Sequence, residues 1–104
     1  MARFDVYANP DSDDRAVVPY LLDVQSDYLK GLETRVVIPL FTAARFNTTV
    51  RTLNPELQVD GKNVVMDTAS IGAVPAGELR RPVVNVSSRQ LDIQDALDAL
   101  FAGY

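Results

Sequence analysis

Apolar and polar residues alternate along much of this chain with the two-residue period of β-strands. Extended segments are predicted at residues 3–7, 17–24, 35–40, 71–74 and 82–86, with turn residues between them. Residues 57–67 predict a hairpin, because Asp60 and Gly61 both tolerate the positive φ angles of a tight turn. This pattern favours a small, bent antiparallel sheet or barrel.

The C-terminal segment has a helical period instead. Its apolar residues recur at the spacing of one helix face, at Ile93, Ala96, Leu97, Leu100, Phe101 and Tyr104. We therefore predict one domain over residues 1–104, mainly β with a C-terminal helix at about 88–102. Ser87 and Gln90 fit a capping box at its start, and Gly103 is suited to end it. We expect Phe101 to pack on the sheet, whereas Tyr104 either folds back or faces a partner.

The composition of the chain limits the classes of function that it can have. The chain is 47% apolar and carries a net charge of -4, which argues against general attraction to nucleic acid. It contains no cysteine and no histidine, the residues that most often supply nucleophiles, general bases and metal ligands. Its polar, acidic start does not resemble a signal peptide, and no apolar run is long enough for a membrane span. We expect a cytoplasmic protein without a cofactor, a metal or a membrane partner.

Two groups of acidic residues are candidate sites. Asp11, Asp13 and Asp14 lie among turn residues, so we interpret them as a solvated turn. Asp92, Asp95 and Asp98 recur on consecutive helical turns, as on the solvated face of an amphipathic helix. The hydroxyl groups of Ser26 and Thr42 have no histidine to activate them. No catalytic residue is predicted.

Two spaced motifs carry a specific resemblance. Residues 23–27 read DVQSD, and residues 35–40, after a gap of seven, read RVVIPL. This pair resembles the signature of the CcdB family of plasmid-addiction toxins, and the resemblance extends through Val74 and Pro75 into the terminal helix. It implies a small SH3-like antiparallel barrel or sheet of the kind shared by CcdB and MazF toxins.

The resemblance also implies a function. Members of the family are homodimers that bind the A subunit of DNA gyrase and trap the enzyme on cleaved DNA, and a CcdA antitoxin neutralises them. Carried over by position, the gyrase-contacting residues are Ser26, Asp98, Ala102, Gly103 and Tyr104. Ala102 stands where the best-known form of the family has tryptophan, and Tyr104 stands where it has isoleucine. We expect a gyrase inhibitor with no catalytic activity of its own.

Other interpretations remain open. The chain could be a MazF-like endoribonuclease that uses Arg35 with Thr34 or Ser26, or a non-toxic or retargeted CcdB homologue. Alternatively, Gln25, Ser26 and Arg35 pair with backbone groups where strands meet, which is the interpretation we favour for Arg35. Residues 36–38 are expected in the core or in a dimer seam, and the third predicted strand is the best candidate for that seam.

Overall fold

The computed structural model describes residues 1–29, 31–47 and 50–102. Within these residues the chain forms seven β-strands followed by an α-helix. The strands are β1 (Asp5–Ala8), β2 (Tyr20–Asp23), β3 (Thr34–Thr42), β4 (Glu56–Val59), β5 (Lys62–Met66), β6 (Gly72–Pro75) and β7 (Pro82–Asn85), and the helix is α1 (Gln90–Phe101). The predicted mainly β class with a C-terminal helix is confirmed. None of the described helices has the length and apolar character needed to cross a bilayer.

The strands form one antiparallel sheet in the order β4-β5-β3-β2-β1-β7, and β6 adds to β3. Along one edge of β3, residues 40–42 pair with β5 and residues 34–37 pair with β6. Pro39 lies in the gap between these two partners. Within the described chain no strand pairs with it along this edge, so its lack of an N–H group costs no hydrogen bond in the sheet. This change of partner lets the sheet curl into a half-barrel.

The hairpin between β4 and β5 has the predicted turn. Asp60 and Gly61 have φ angles of 53° and 78°, and Val59 pairs with Lys62 across them. Two consecutive residues with positive φ match the right-handed twist of the flanking strands. The local sequence therefore fixes this hairpin.

Both faces of the sheet are apolar. On the first face Leu22, Ile38 and Met66 lie beneath Ile93 and Ala96 of α1, and all five side chains are fully buried. On the second face a smaller cluster contains Tyr7, Val18, Leu21, Val37 and Leu79. A strand buried on both faces has a nearly continuous apolar sequence, which explains residues 36–38. β3 is paired along both edges and buries Val37 and Ile38, which confirms the expected core position for these two residues. The dimer seam stays a prediction.

Two local predictions fail because the backbone N–H groups concerned form hydrogen bonds within neighbouring turns. The predicted strand at 17–24 begins only at Tyr20, since the N–H groups of Val17 and Val18 donate to the Asp14 carbonyl, 3.1 and 2.8 Å away. The acidic segment before it is a turn, as predicted, with Asp11 Oδ1 accepting the Asp13 N–H. At the helix start a 3-10 turn at Ser87–Arg89 satisfies the first N–H groups, so no side chain caps α1 and the predicted capping box is wrong.

Candidate partner-binding site

The two sequence motifs meet in a buried ion pair. Arg35 Nε donates to Asp23 Oδ2 at 2.8 Å, and the two side chains are 3% and 0% exposed. Asp23 pairs with Val37 across β2 and β3, which places Arg35, two residues along β3, on the same face as its diagonal neighbour. Arg35 was expected to pair with backbone groups; its partner is instead a carboxylate. Nη2 lies 2.7 Å from the same oxygen but is poorly directed, so Nε makes the hydrogen bond.

Burial dominates the electrostatics around this pair. It raises the pKa of the Asp23 carboxyl, against the opposing effect of hydrogen bonds from Arg35 and from the Gln25 N–H. Burial, together with the charges of Asp5 and Asp23, raises the pKa of Tyr7 to about 12. The Tyr7 hydroxyl donates to Asp5 Oδ2 at 3.4 Å. The ion pair with Arg35 thus stabilises a carboxylate whose charge is disfavoured by burial.

Gln25 holds the loop that follows β2. Its side chain is buried, with Nε2 donating to the Leu29 carbonyl at 3.1 Å and Oε1 accepting the Val36 N–H at 3.0 Å. This agrees with the backbone pairing that we considered for Gln25. Ser26 Oγ accepts the Tyr28 N–H at 3.2 Å at the start of a 3-10 turn at Asp27–Leu29. The motif therefore builds a rigid, outward-facing loop.

Arg3 joins this loop to the helix, a role that no sequence pattern predicted. Its backbone N–H donates to Asp27 Oδ1 at 2.8 Å, and its Nε donates to the Val24 carbonyl at 3.1 Å. Its Nη2 donates to Gln94 Oε1 at 3.2 Å. One side chain thereby fixes the position of α1 relative to the end of β2.

A groove of about 380 Å³ opens between the loop and the helix, and we call it the helix groove. Its lining residues are Val24, Gln25, Ser26, Leu29, Val36, Ile71, Gln94, Leu97, Asp98 and Phe101. The fold therefore brings Ser26 and Asp98 together although they are far apart in sequence. Ala102, also proposed from the sequence, is exposed and follows Phe101 directly. The remaining two proposed positions, Gly103 and Tyr104, lie outside the described residues.

Exposed apolar side chains surround this groove. Phe101 is 70% exposed, so the expectation that it packs on the sheet is wrong. Eight residues turn an α-helix by about 800°, which leaves Phe101 roughly 80° around the axis from the buried Ile93. Sequence reasoning also missed Tyr28 and Leu29, which are 98% and 50% exposed. The sequence signal for this exposed pair was the presence of two adjacent apolar residues between the charged residues Asp27 and Lys30.

The chemistry of the helix groove suits binding. Its lining is mainly apolar, and the exposed rings of Tyr28 and Phe101 lie on the loop and the helix that border it. Large apolar groups exposed beside a rigid groove are typical of protein interaction sites. Among the described residues no group of three Asp or Glu side chains could hold a metal ion.

Comparison with known proteins gives the family of the chain. The fold is similar to that of a solved endoribonuclease in complex with its cognate antitoxin from mycobacterial species, with a TM-score of 0.76. The two chains share 14% sequence identity, over 98% of this chain and 95% of the other, so the likeness concerns the fold. A family model described as CcdB protein matches residues 3–103. The match covers nearly the whole sequence, and the chain therefore belongs to the CcdB family.

Proposed function

We propose that this protein is the toxin of a type II toxin–antitoxin system, that it binds the A subunit of DNA gyrase and traps the enzyme on cleaved DNA, and that a CcdA-like antitoxin neutralises it. Membership of the CcdB family supports the assignment to a toxin–antitoxin system. The helix groove is the observation that carries the gyrase proposal. It joins Ser26 and Asp98, two residues that the family resemblance assigns to gyrase contacts.

The rigidity of the helix groove supports this role. Arg3 and Gln25 make five hydrogen bonds around the groove. Arg3 donates three, one of them to Gln94 of α1, whereas Gln25 donates one and accepts one. A partner that docks here meets a surface that is already ordered, so less conformational entropy is lost on binding. Phe101 offers an exposed ring beside Ala102, where the resemblance places the tip of the target-binding surface.

We also propose that the protein is a homodimer in solution. The family resemblance supports this assembly. The dimer seam must leave the helix groove open, since the same groove is proposed to bind gyrase. Analytical ultracentrifugation of the purified protein gives the oligomeric state directly.

The endoribonuclease alternative depends on Arg35 reaching an RNA phosphate. Arg35 is 3% exposed and its guanidinium is paired with Asp23, so little of it is available to an external phosphate. The net charge of -4 also opposes the approach of RNA. The site geometry thus favours binding of a protein target over cleavage of RNA.

Expression in two host strains tests the proposed function. One strain carries the normal gyrase A subunit, and the other carries a change that confers resistance to the family. We expect growth arrest in the first strain alone. Arrest in both strains would assign another target, and new RNA ends after incubation with the purified protein would establish the endoribonuclease alternative.

A matched pair of helix variants locates the surface. Phe101 and Leu91 are both exposed apolar residues of α1, but Phe101 lines the helix groove and Leu91 does not. We expect Phe101→Ser to abolish growth arrest and gyrase binding, whereas Leu91→Ser retains both. Urea unfolding should show that neither variant loses the fold. Equal activity of the two variants would exclude the helix groove as the binding surface.

A further inference from the structure

A cavity of about 300 Å³ lies between residues 8–15 and residues 77–81. Its lining residues are Ala8, Pro10, Arg15, Gly77, Glu78, Arg80 and Arg81. Three of these residues are arginines and one is a glutamate, so the lining has a net charge of +2 in a chain whose net charge is -4. We call it the arginine cavity. It shares no lining residue with the helix groove, so it is independent of the proposed gyrase function.

Arg15 is held at one side of the arginine cavity by its own side chain. Its Nε donates to the Asn9 carbonyl at 2.5 Å. Asn9 is buried, and its Nδ2 donates to the Val18 carbonyl at 2.9 Å, so the acceptor belongs to a well-anchored part of the chain. Among the residues that the structure describes, the two terminal nitrogens of the Arg15 guanidinium have no protein partner. They remain available to a ligand.

Arg80 and Arg81 are held at the other side by their neighbours in the chain. Leu79, before them, is buried in the cluster on the second face, and Pro82, after them, pairs with Tyr7 in the sheet. Both arginine side chains are exposed, and within residues 1–29, 31–47 and 50–102 neither forms a side-chain hydrogen bond or an ion pair. An anchored segment thus places two adjacent guanidinium groups on the cavity without an internal counter-ion.

The cluster of arginines is not neutralised by the carboxylate beside it. Glu78 lines the same cavity but, over the described part of the chain, forms no ion pair with any of the three arginines. Like charges around one cavity repel one another. An anion that bridges them offsets this repulsion and accepts charge-assisted hydrogen bonds, which are stronger than neutral ones. The arginine cavity therefore has the electrostatic character of an anion site.

We propose that the arginine cavity binds the phosphate group of a small phosphate monoester. Such a group carries about two negative charges at pH 7 and three terminal oxygens. These match the net charge of the lining and the number of guanidinium groups. A carboxylate offers one charge and two oxygens, so it matches neither. Arginine suits this role because its planar fork donates two parallel hydrogen bonds to phosphate oxygens.

The surroundings of the cavity favour a small ligand over nucleic acid. A volume of about 300 Å³ is at the lower end of the range of ligand pockets. Asp11, Asp13 and Asp14 are exposed in the turn directly before Arg15. A strand of nucleic acid that extended beyond the cavity on this side would bring its phosphates against three carboxylates. A single phosphate group held by the arginines needs no such contact.

An NMR titration of the isotope-labelled full chain at constant ionic strength tests the proposal. The probes are methyl phosphate, a monoester with two charges, dimethyl phosphate, a diester with one, and acetate. We expect methyl phosphate to shift the side-chain Nε–H signals of Arg15, Arg80 and Arg81 saturably, and the other two anions to bind about fivefold more weakly or worse, because each lacks one charge. Binding should also weaken below about pH 6, where the monoester gains a proton. Equal binding of the three anions, or shifts without saturation, would overturn the proposal.

Larger probes distinguish a small ligand from a macromolecule that carries the same group. We expect adenosine monophosphate to bind through the same arginine signals as methyl phosphate. A phosphoserine peptide and a short single-stranded RNA should bind no more tightly than these small monoesters. Tighter binding of the peptide or of the RNA through the same arginines would assign the cavity to that macromolecule and contradict a small ligand.

Two double variants with equal charge change separate the arginine cavity from general electrostatic attraction. The test variant combines Arg80→Gln with Arg81→Gln, and the control variant combines Arg45→Gln with Arg51→Gln, at exposed positions outside the cavity. We expect the test variant to bind methyl phosphate about tenfold more weakly, since each exposed ion pair contributes up to roughly fivefold, and the control variant to bind it as before. Urea unfolding should show that both variants keep the fold. Equal losses in the two variants would reduce the effect to net charge and contradict a phosphate site.

Discussion

Arg35 Nε lies 2.8 Å from Asp23 Oδ2, in an ion pair whose two side chains are 3% and 0% exposed. The pair connects β2 to β3 directly before the loop at residues 25–29, which forms one side of the helix groove. Asp23 Oδ1 also accepts the Gln25 N–H at 3.0 Å, so the ion pair and the loop are mechanically coupled. Asp23 and Arg35, the first residues of the two motifs, thus support the loop from inside the fold.

Removal of one member of this pair should destabilise the protein strongly. Arg35→Met leaves the Asp23 carboxylate buried without its partner, and we expect a loss of about 3 to 5 kcal/mol in the free energy of unfolding. Urea denaturation followed by circular dichroism measures it. The double variant with Asp23→Leu as well buries no unpaired charge and should recover much of the loss. A single variant as stable as the original chain would mean that the pair contributes nothing.

Stability should fall between pH 10 and pH 12 because of Tyr7. Its pKa is raised to about 12 in the folded protein, against about 10 in an unfolded chain. Below pH 10 the hydroxyl is neutral in both states, whereas above it the unfolded chain loses the proton first, which favours unfolding by about 2 to 3 kcal/mol at pH 12. Tyr7→Phe should flatten this part of the stability profile measured by urea denaturation. Tyr28→Phe, at a 98% exposed position, should keep the original slope.

Deletion of Gly103 and Tyr104 should abolish growth arrest while leaving thermal unfolding nearly unchanged. The family resemblance assigns both positions to target contacts, and the buried clusters of the described chain are formed by residues before them. Growth assays and thermal denaturation of the shortened protein measure the two effects. A shortened protein that still arrests growth would move the target-binding surface away from the terminus.

Restoration of an aromatic residue at position 102 should tighten binding to the gyrase A subunit. Truncation of a buried interface aromatic to alanine typically costs about 2 to 4 kcal/mol, and Ala102→Trp reverses such a change. We expect a gain of roughly 30-fold or more in affinity by isothermal titration calorimetry. Leu91→Trp, which adds an exposed ring elsewhere on α1, is the matched control. No gain, or weaker binding, would mean that this tip addresses a different surface.

The elements predicted correctly depend on neighbours in sequence. The Asp60–Gly61 turn and the period of α1 need only a few adjacent residues, so the pattern was sufficient. The failed predictions depend on which hydrogen bonds the backbone groups form, or on how an element is oriented against the rest of the fold. The 3-10 turn before α1 replaced the capping box, and the axis of α1 relative to the sheet left Phe101 in solvent.

The sequence by itself determined the class of this protein: a mainly β chain with a C-terminal helix, without the usual residues of catalysis, and with two motifs that identify its family. Only the tertiary structure decided what those motifs do. Strand register placed Arg35 against Asp23, and Arg3 and Gln25 fixed the loop beside α1, so that Ser26 and Asp98 line one groove. The physical reason is that periodicity acts through residues close in sequence, whereas a groove is formed by side chains from elements that pack together across the fold.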